Sequence, residues 1–360
     1  MTPRAKNTIY SLILLAVLAI IYIYRKNNTE SNTKDLTQNP TEAKKLLLVQ
    51  GKAQGTTFNI KYLDAKNRDL QTKIDSILAD FDKSLSTYRK DSEISDFNKA
   101  EIDSVQFSFP YFYPVLKASK EIFEISKGAF DPTIAPLVNA YGFGFTKAQD
   151  LTENQIKDIL QYVDFKQVSF NKTSVKKLKK GITLDFNAIA QGYSVDVVAD
   201  YLKTLNITDF MVEIGGEVVC NGKNQDGKTW GIGIKNPILA EKGETATKAI
   251  VLLDNKALAT SGNYEKFYIK DGKKFAHILN PATGKPAMQN ILSATVVADN
   301  AMTADGFATV FMVVGLDKSK EIIANNPTKN LEVYLIYVNE KGKLQSFMTE
   351  KMKNIIKEVE

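Results

Sequence analysis

Apolar residues recur along the chain with two periods, and the switches between them outline the elements. Over residues 46–62 they alternate, so LLLVQGKA and TTFNIKY read as two strands joined around Gln54-Gly55. Over 70–85 the period becomes helical, through Ile74, Ile77, Leu78 and Phe81. Helical spacing returns at 113–127, which Gly128 stops, at 152–161 behind Thr152 and Glu153, and at 188–205. Strand-like patterns mark 166–184, split by a lysine-rich turn, and then 210–219, 230–235, 249–253 and 267–269. A short helix at 318–325, a hairpin of 331–338 and 344–348, and a charged terminal helix close the chain. Strands mixed with helices, without regular βαβ alternation, predict an α+β fold with mixed or antiparallel sheets and packed helices.

The stretch NAMTADGFATVFMVVG at 300–315 breaks the amphipathic pattern. Asn300 or Thr303 is suited to cap a helix there, and Gly315 to end it. Met302, Phe307, Val310, Phe311, Met312, Val313 and Val314 make it apolar on nearly every side, which predicts burial. Asp305 lies in its first turns, with Thr309 four residues on and so on the same face. A carboxylate buried there needs a partner. Either Asp305 helps to cap its own helix, or Asp305 and Thr309 offer two oxygens to a hard divalent cation. The stretch by itself leaves both readings open.

The N-terminus has another pattern. Arg4 and Lys6 precede an apolar run over 9–24, and Arg25-Lys26 follow it. The run is near the lower limit for a spanning helix and long for a signal-peptide core, with no small-residue cleavage site after it. Residues 1–26 are therefore expected to form an uncleaved signal anchor, one membrane helix. Residues 27–45 read as a polar tether, and 46–360 as the domain it holds on the exported side of the inner or plasma membrane, periplasmic or extracellular.

Composition narrows the chemistry. At 360 residues, 24% charged and 44% hydrophobic, the chain has room for one large domain or two lobes. The net charge of +6 is mild, and no dense basic stripe with interleaved aromatics is present, so nucleic-acid binding is set aside. The cluster Lys176, Lys177, Lys179 and Lys180 reads as a solvated hairpin edge. One cysteine, Cys220, excludes an internal disulfide and reads as a small buried hydrophobe. One histidine, His277, excludes zinc held by several His or Cys ligands. No Gly-x-Ser-x-Gly elbow accompanies it, so it is either a general base or a structural histidine.

Four punctuated segments remain as candidate chemistry. Gly128-Ala129-Phe130-Asp131-Pro132-Thr133, continued by Tyr141-Gly142-Phe143-Gly144, specifies a fixed backbone corner rich in aromatics. In LDFNAIAQGYSVD at 184–196, a strand ends in an acid and small residues open a helix, whose N-terminal N–H groups suit a phosphate. It is not a P-loop. EIGGE at 213–217 and TSGNY at 260–264 allow close backbone approach or are ordinary turns. HILNPATGKP at 277–286 carries the histidine.

Seven signatures in one order make the chain resemble the ApbE family, the FAD:protein FMN transferases. They are Gly55-Thr56, LSTYRKDSEISDFN (85–98), GAFDPTIAPLVNAYGFG (128–144), LDFNAIAQGYSVD, EIGGE, TSGNYEKF with HILNPATGKP, and TADGFATVFMVVG (303–315). The resemblance implies an α+β fold, FAD as substrate and a divalent cation, usually Mg2+. It also implies transfer of FMN to a threonine or serine hydroxyl of a partner protein, such as a redox-complex subunit, with release of AMP. Asp305, Thr309 and the backbone carbonyl of Ala188 are the implied metal ligands. Gln54, Tyr88, Ala129, Phe130, Asp131, Asp185, Gln191 and Ile278 are the implied flavin-nucleotide contacts, and His277 would assist proton removal from the incoming hydroxyl.

Phosphoryl transfer needs positioning and charge neutralisation more than covalent help, and Mg2+ fills much of its shell with phosphates and water. The absence of an activated nucleophile in the chain agrees with an acceptor that brings its own hydroxyl. Gln191 stands where relatives commonly carry lysine, Asn187 where glycine is frequent, and Asn263 where aspartate is frequent. The same chemistry with water as acceptor would be a Mg2+-dependent FAD pyrophosphatase. The lost charge at Gln191 also keeps open a tethered flavin-binding protein without turnover.

Overall fold

The computed structural model describes residues 44–101, 104–244, 246–263, 267–270, 273–276, 278–287 and 289–359. The expected anchor and most of the expected tether lie outside them. Among the described residues, no helix is long and apolar enough to cross a membrane. Leu46–Asp64 and Arg68–Glu360 form one compact unit.

An eight-stranded sheet organises this unit. Its strands are Lys45–Ala53, Thr56–Asp64, Phe210–Ile214, Glu217–Asn221, Lys256–Gly262, Ile291–Ala298, Glu332–Val338 and Leu344–Met348, which lie side by side in chain order. From Thr56–Asp64 onward every neighbour pair is antiparallel. The α+β expectation holds, and the long helical excursion falls between the second and third strands.

Both faces of the sheet are covered, and the central strands show it residue by residue. Val219, Ala257, Ala259, Val296 and Ala298 face helices, whereas Val218, Leu258 and Val297 face a core shared with Trp230, Val251 and Met352. This is the period of two expected of a strand. The second core lies beneath a smaller antiparallel sheet of Trp230–Lys235, Thr247–Leu253 and Ile356–Glu358. On the other face lie the helices Ala190–Thr204 and Ala301–Val314, packed on the sheet and on each other. Cys220 is buried as expected, and burial pushes its thiol well up from the ordinary value.

Several elements depart from the sequence reading for identifiable reasons. Two strands at the centre of the sheet, Lys256–Gly262 and Ile291–Ala298, carry no strong signal because small residues dominate their helix-facing positions: Ala257, Ala259, Ser261, Ala294 and Ala298. Such residues are poor β-formers but admit the Ala301–Val314 helix closely. The charged terminal helix is one turn, Glu350–Lys353, followed by the strand Ile356–Glu358, which pairs with Thr247–Leu253. The lysine cluster is not wholly solvated. Lys177 is buried, its Nζ 4.8 Å from the centre of the Phe97 ring, and burial lowers its pKa. The helix Glu93–Lys99, capped by Ser92, follows the Tyr88 segment unforeseen.

Candidate active site

The start of the Ala301–Val314 helix shows whether Asp305 is needed as its cap. The Asn300 side chain accepts from Thr303 N–H at 2.8 Å, the expected cap. Asp196, from the neighbouring helix, accepts from Ala301 N–H at 2.7 Å and Met302 N–H at 2.8 Å. Burial pushes the Asp196 carboxyl up to about 7 against the pull of those donors. The free N–H groups of the first turn are thus served without Asp305, and the capping role is filled by others.

Asp305 lies one turn further in and is 6% exposed. Among the described residues its carboxylate accepts one hydrogen bond, from Gly192 N–H at 3.0 Å, and burial pushes its carboxyl up to about 7. Burial raises a carboxyl by disfavouring its charged form. Gly192 is required for this approach. A Cβ there would stand 2.3 Å from the Ala301 carbonyl oxygen and 2.8 Å from the Asp305 Cβ.

By turning to Asp305, Gly192 N–H leaves the carbonyl four residues back. Among the described residues, no backbone N–H is directed at the Ala188 oxygen. Thr309 Oγ1 is half-buried, with Ser261 Oγ a long 3.4 Å away. A carboxylate with one donor, a carbonyl with no backbone donor and a loosely held hydroxyl suit a hard cation. Among the described residues, no three His, Cys, Asp or Glu side chains come together. The three oxygens would leave half of an octahedral magnesium shell to phosphates and water.

A cleft of about 490 Å3 opens beside the turn that carries Ala188. Tyr88, Lys90, Asn98 and Lys99 line one side, Asn139, Phe143 and Phe145 another, with Asp185 and Asn187 also in its wall. Tyr88 is 68% exposed and meets Phe145 edge-on, with ring centres 5.2 Å apart. Asp185 Oδ1 accepts from Asn187 N–H at 2.7 Å and Oδ2 from Asn187 Nδ2 at 3.2 Å. Asp185 N–H donates to the Pro132 carbonyl at 2.7 Å, tying this turn to the Gly128–Gly144 corner. Asn98 clasps both backbone groups of Leu184, at 2.7 and 2.9 Å. Asn98, Lys90 and Lys99 received no role from the sequence; all lie in or beside the 85–98 signature, whose polar residues were the available signal.

The other implied contacts divide. Asp131 is buried, and the corner itself uses both its carboxylate oxygens: Oδ1 accepts from Thr133 N–H at 2.8 Å and Thr133 Oγ1, and Oδ2 from Phe165 N–H at 3.2 Å. Phe130 is buried in the core with half-buried Ala129 beside it. Gln191 Nε2 donates to the Ile214 carbonyl at 3.3 Å and lies over Gly215, where a Cβ would be 1.5 Å from it. Gln54 sits at φ +54° in the Gln54-Gly55 turn, its Oε1 3.1 Å from Ser194 Oγ, and among the described residues its buried Nε2 has no hydrogen-bond partner. Thus Gln54, Gln191, Ala188 and Asp305 gather at one helix start, whereas Tyr88 and Asp185 line the cleft. Ile278 is buried, its carbonyl accepting from Ala287 N–H at 2.9 Å. His277 lies outside the described residues.

Comparison with known proteins identifies the family. The ApbE family model matches residues 54–335. The FAD:protein FMN transferase of Haemophilus influenzae is 37% identical over 314 residues, covering 83% of this chain and 88% of that protein. The Vibrio cholerae protein of the same name is 35% identical, covering 77% and 84%. Among solved structures, the flavin transferase ApbE of Vibrio cholerae aligns with TM-score 0.76 and 32% identity, over 87% of this chain and 99% of that one. The apo flavinyl transferase ApbE of Pseudomonas stutzeri aligns with TM-score 0.77 and 29% identity, over 87% and 97%. With both site helices inside residues 54–335 and curated relatives 35–37% identical over most of its length, the chain belongs to the ApbE family.

Proposed function

We propose that the protein transfers FMN from FAD to a threonine or serine hydroxyl of an exported partner protein, releasing AMP, in a Mg2+-dependent reaction. The observation that carries the reading is the buried carboxylate of Asp305, which among the described residues has one donor, Gly192 N–H, a group that thereby leaves the Ala188 carbonyl without a backbone donor. Leaving a buried acid so thinly partnered is costly unless a cation completes it. Asp305, Thr309 and the Ala188 carbonyl would hold that cation. Neutralisation of pyrophosphate charge is the chemistry it supplies when bound.

The chain's own residues do the rest by placement. The cleft receives the nucleotide, with Tyr88 presenting an aromatic face and Lys90 and Lys99 positive charge near its rim. The acceptor hydroxyl oxygen forms a bond to the FMN phosphorus as the bond to the AMP oxygen breaks. The hydroxyl proton goes to a base, for which His277 is the proposed residue. Residues 1–26 are proposed to anchor the enzyme, with the domain on the exported side where a redox-complex subunit would be its acceptor.

Incubating the protein with FAD, Mg2+ and a peptide carrying an acceptor threonine, then weighing the products, tests this. FMN-sized mass on the peptide with AMP released supports transfer. FMN and AMP with unmodified peptide would mean hydrolysis, and intact FAD would mean binding without turnover. His277→Ala should slow transfer while leaving FAD binding intact; lost binding would make the histidine structural.

A further inference from the structure

We infer that Asp196 is a positioning residue for this site: it locks the Ala301–Val314 helix against the Ala190–Thr204 helix so that Asp305 and Ala188 keep a fixed relation. The inference rests on the reading of Asp305 as a metal ligand. Gly192 and Asp196 stand one turn apart on one helix, and Ala301 and Asp305 one turn apart on the other. At one level Gly192 N–H donates across to Asp305; at the other the Asp196 carboxylate accepts from Ala301 and Met302. The two contacts run in opposite donor directions. Between them the helices touch at Gly192 with no side chain to wedge them apart.

Such a clasp matters because the proposed ligands come from different helices. Ala188 lies just before the start of the first helix, whereas Asp305 and Thr309 belong to the second. A rotation of roughly 10° about a helix axis moves an atom about 5 Å out by roughly 1 Å, whereas metal–ligand distances tolerate about 0.2 Å. Hydrophobic burial by itself does not choose the rotational setting, since the second helix is apolar on nearly every side. Asn300 cannot prevent it, because its bond to Thr303 lies within its own helix. Asp196 can, because its two oxygens grip adjacent N–H groups and so fix angle as well as distance.

Binding of Mn2+ in the presence of ADP, measured by electron paramagnetic resonance on the full chain, tests the assignment against a merely structural cap. Asp305→Ala should abolish binding. Asp196→Asn should raise the half-saturating Mn2+ roughly tenfold, the scale of lost outer support at metal sites. Asn300→Ala, which uncaps the same helix without touching the clasp, should lower the melting temperature and leave half-saturation within about twofold. Should Asp196→Asn not yield folded protein, Asp196→Ser, which keeps one short acceptor, replaces it with the same expected direction. Half-saturation unchanged in the Asp196 variant, with binding lost in Asp305→Ala, overturns the positioning role alone. Binding retained in Asp305→Ala, or absent from the unaltered protein, overturns the metal reading and this inference with it.

Discussion

Asp131 and Asp305 are the same residue type at almost the same burial, 7% and 6% exposed, and the protein treats them in opposite ways. Around Asp131 the protein supplies Thr133 N–H and Thr133 Oγ1 from the corner and Phe165 N–H from beyond it, so three donors meet the carboxylate. Around Asp305 the described residues supply one donor, Gly192 N–H. Burial raises both carboxyls, and three hydrogen bonds oppose the shift at Asp131 against one at Asp305. Burial alone does not separate a structural acid from a functional one. The number of donors already committed to each acid is the structural difference between these two.

The sharpest way to break this contrast is to neutralise each acid. Asp305→Asn should lower transfer at least about a thousandfold, the scale expected when a metal's charge stabilisation is lost. The same change should stabilise the metal-free protein at pH 8 by about 1–3 kcal/mol, because a thinly partnered buried charge is removed. Chemical denaturation with and without EDTA reads this, and a destabilised variant would mean that Asp305 is structural after all. Asp131→Ala should do the reverse, costing about 3 kcal/mol by orphaning buried donors while Mn2+ binding survives in the folded fraction. Lost metal binding in well-folded Asp131→Ala would erase the distinction.

A pH series sharpens the comparison further. Asp305 has its folded pKa raised to about 7, so its contribution to stability is full below about 4, the ordinary carboxylate value, and is lost as pH rises through 7. Metal-free protein should therefore lose stability between pH 5 and 8, and Mg2+ should flatten or reverse the slope, since metal binding releases the proton. Melting temperatures across that range, with Asp305→Asn as the control that lacks this contribution, test it. The smallest expected effect is at Gln191, whose amide already has the Ile214 carbonyl. Gln191→Lys should tighten FAD binding only a few-fold at low salt, as a partly screened charge would, measured by flavin fluorescence quenching. A change of a hundredfold or more would make this position central to affinity.

The features legible in the chain were those written in local pattern. The buried helix with its Asn300 cap and terminal Gly315, the hairpin at Gln54-Gly55 and the helix start at Thr152 each depend on neighbours a few residues apart. So does the family resemblance, which rests on short motifs in fixed order. The central strands Lys256–Gly262 and Ile291–Ala298 were not legible, because their small residues answer to a helix elsewhere in the sequence. Lys177 was misread for the same reason, since Phe97 and the Asn98 carbonyl that receive its amine come from a helix it does not adjoin in sequence.

The sequence by itself therefore determined the fold class, the helix that carries Asp305 and Thr309, and two open roles for that carboxylate. Only the tertiary structure removed the capping role, by bringing Asp196 to the helix start that Asp305 would otherwise have capped, and placed Gly192 N–H at the carboxylate itself. The physical reason is that hydrogen-bond satisfaction is a property of three-dimensional neighbours. A chain can announce that an acid is buried, but not how many donors will be waiting for it.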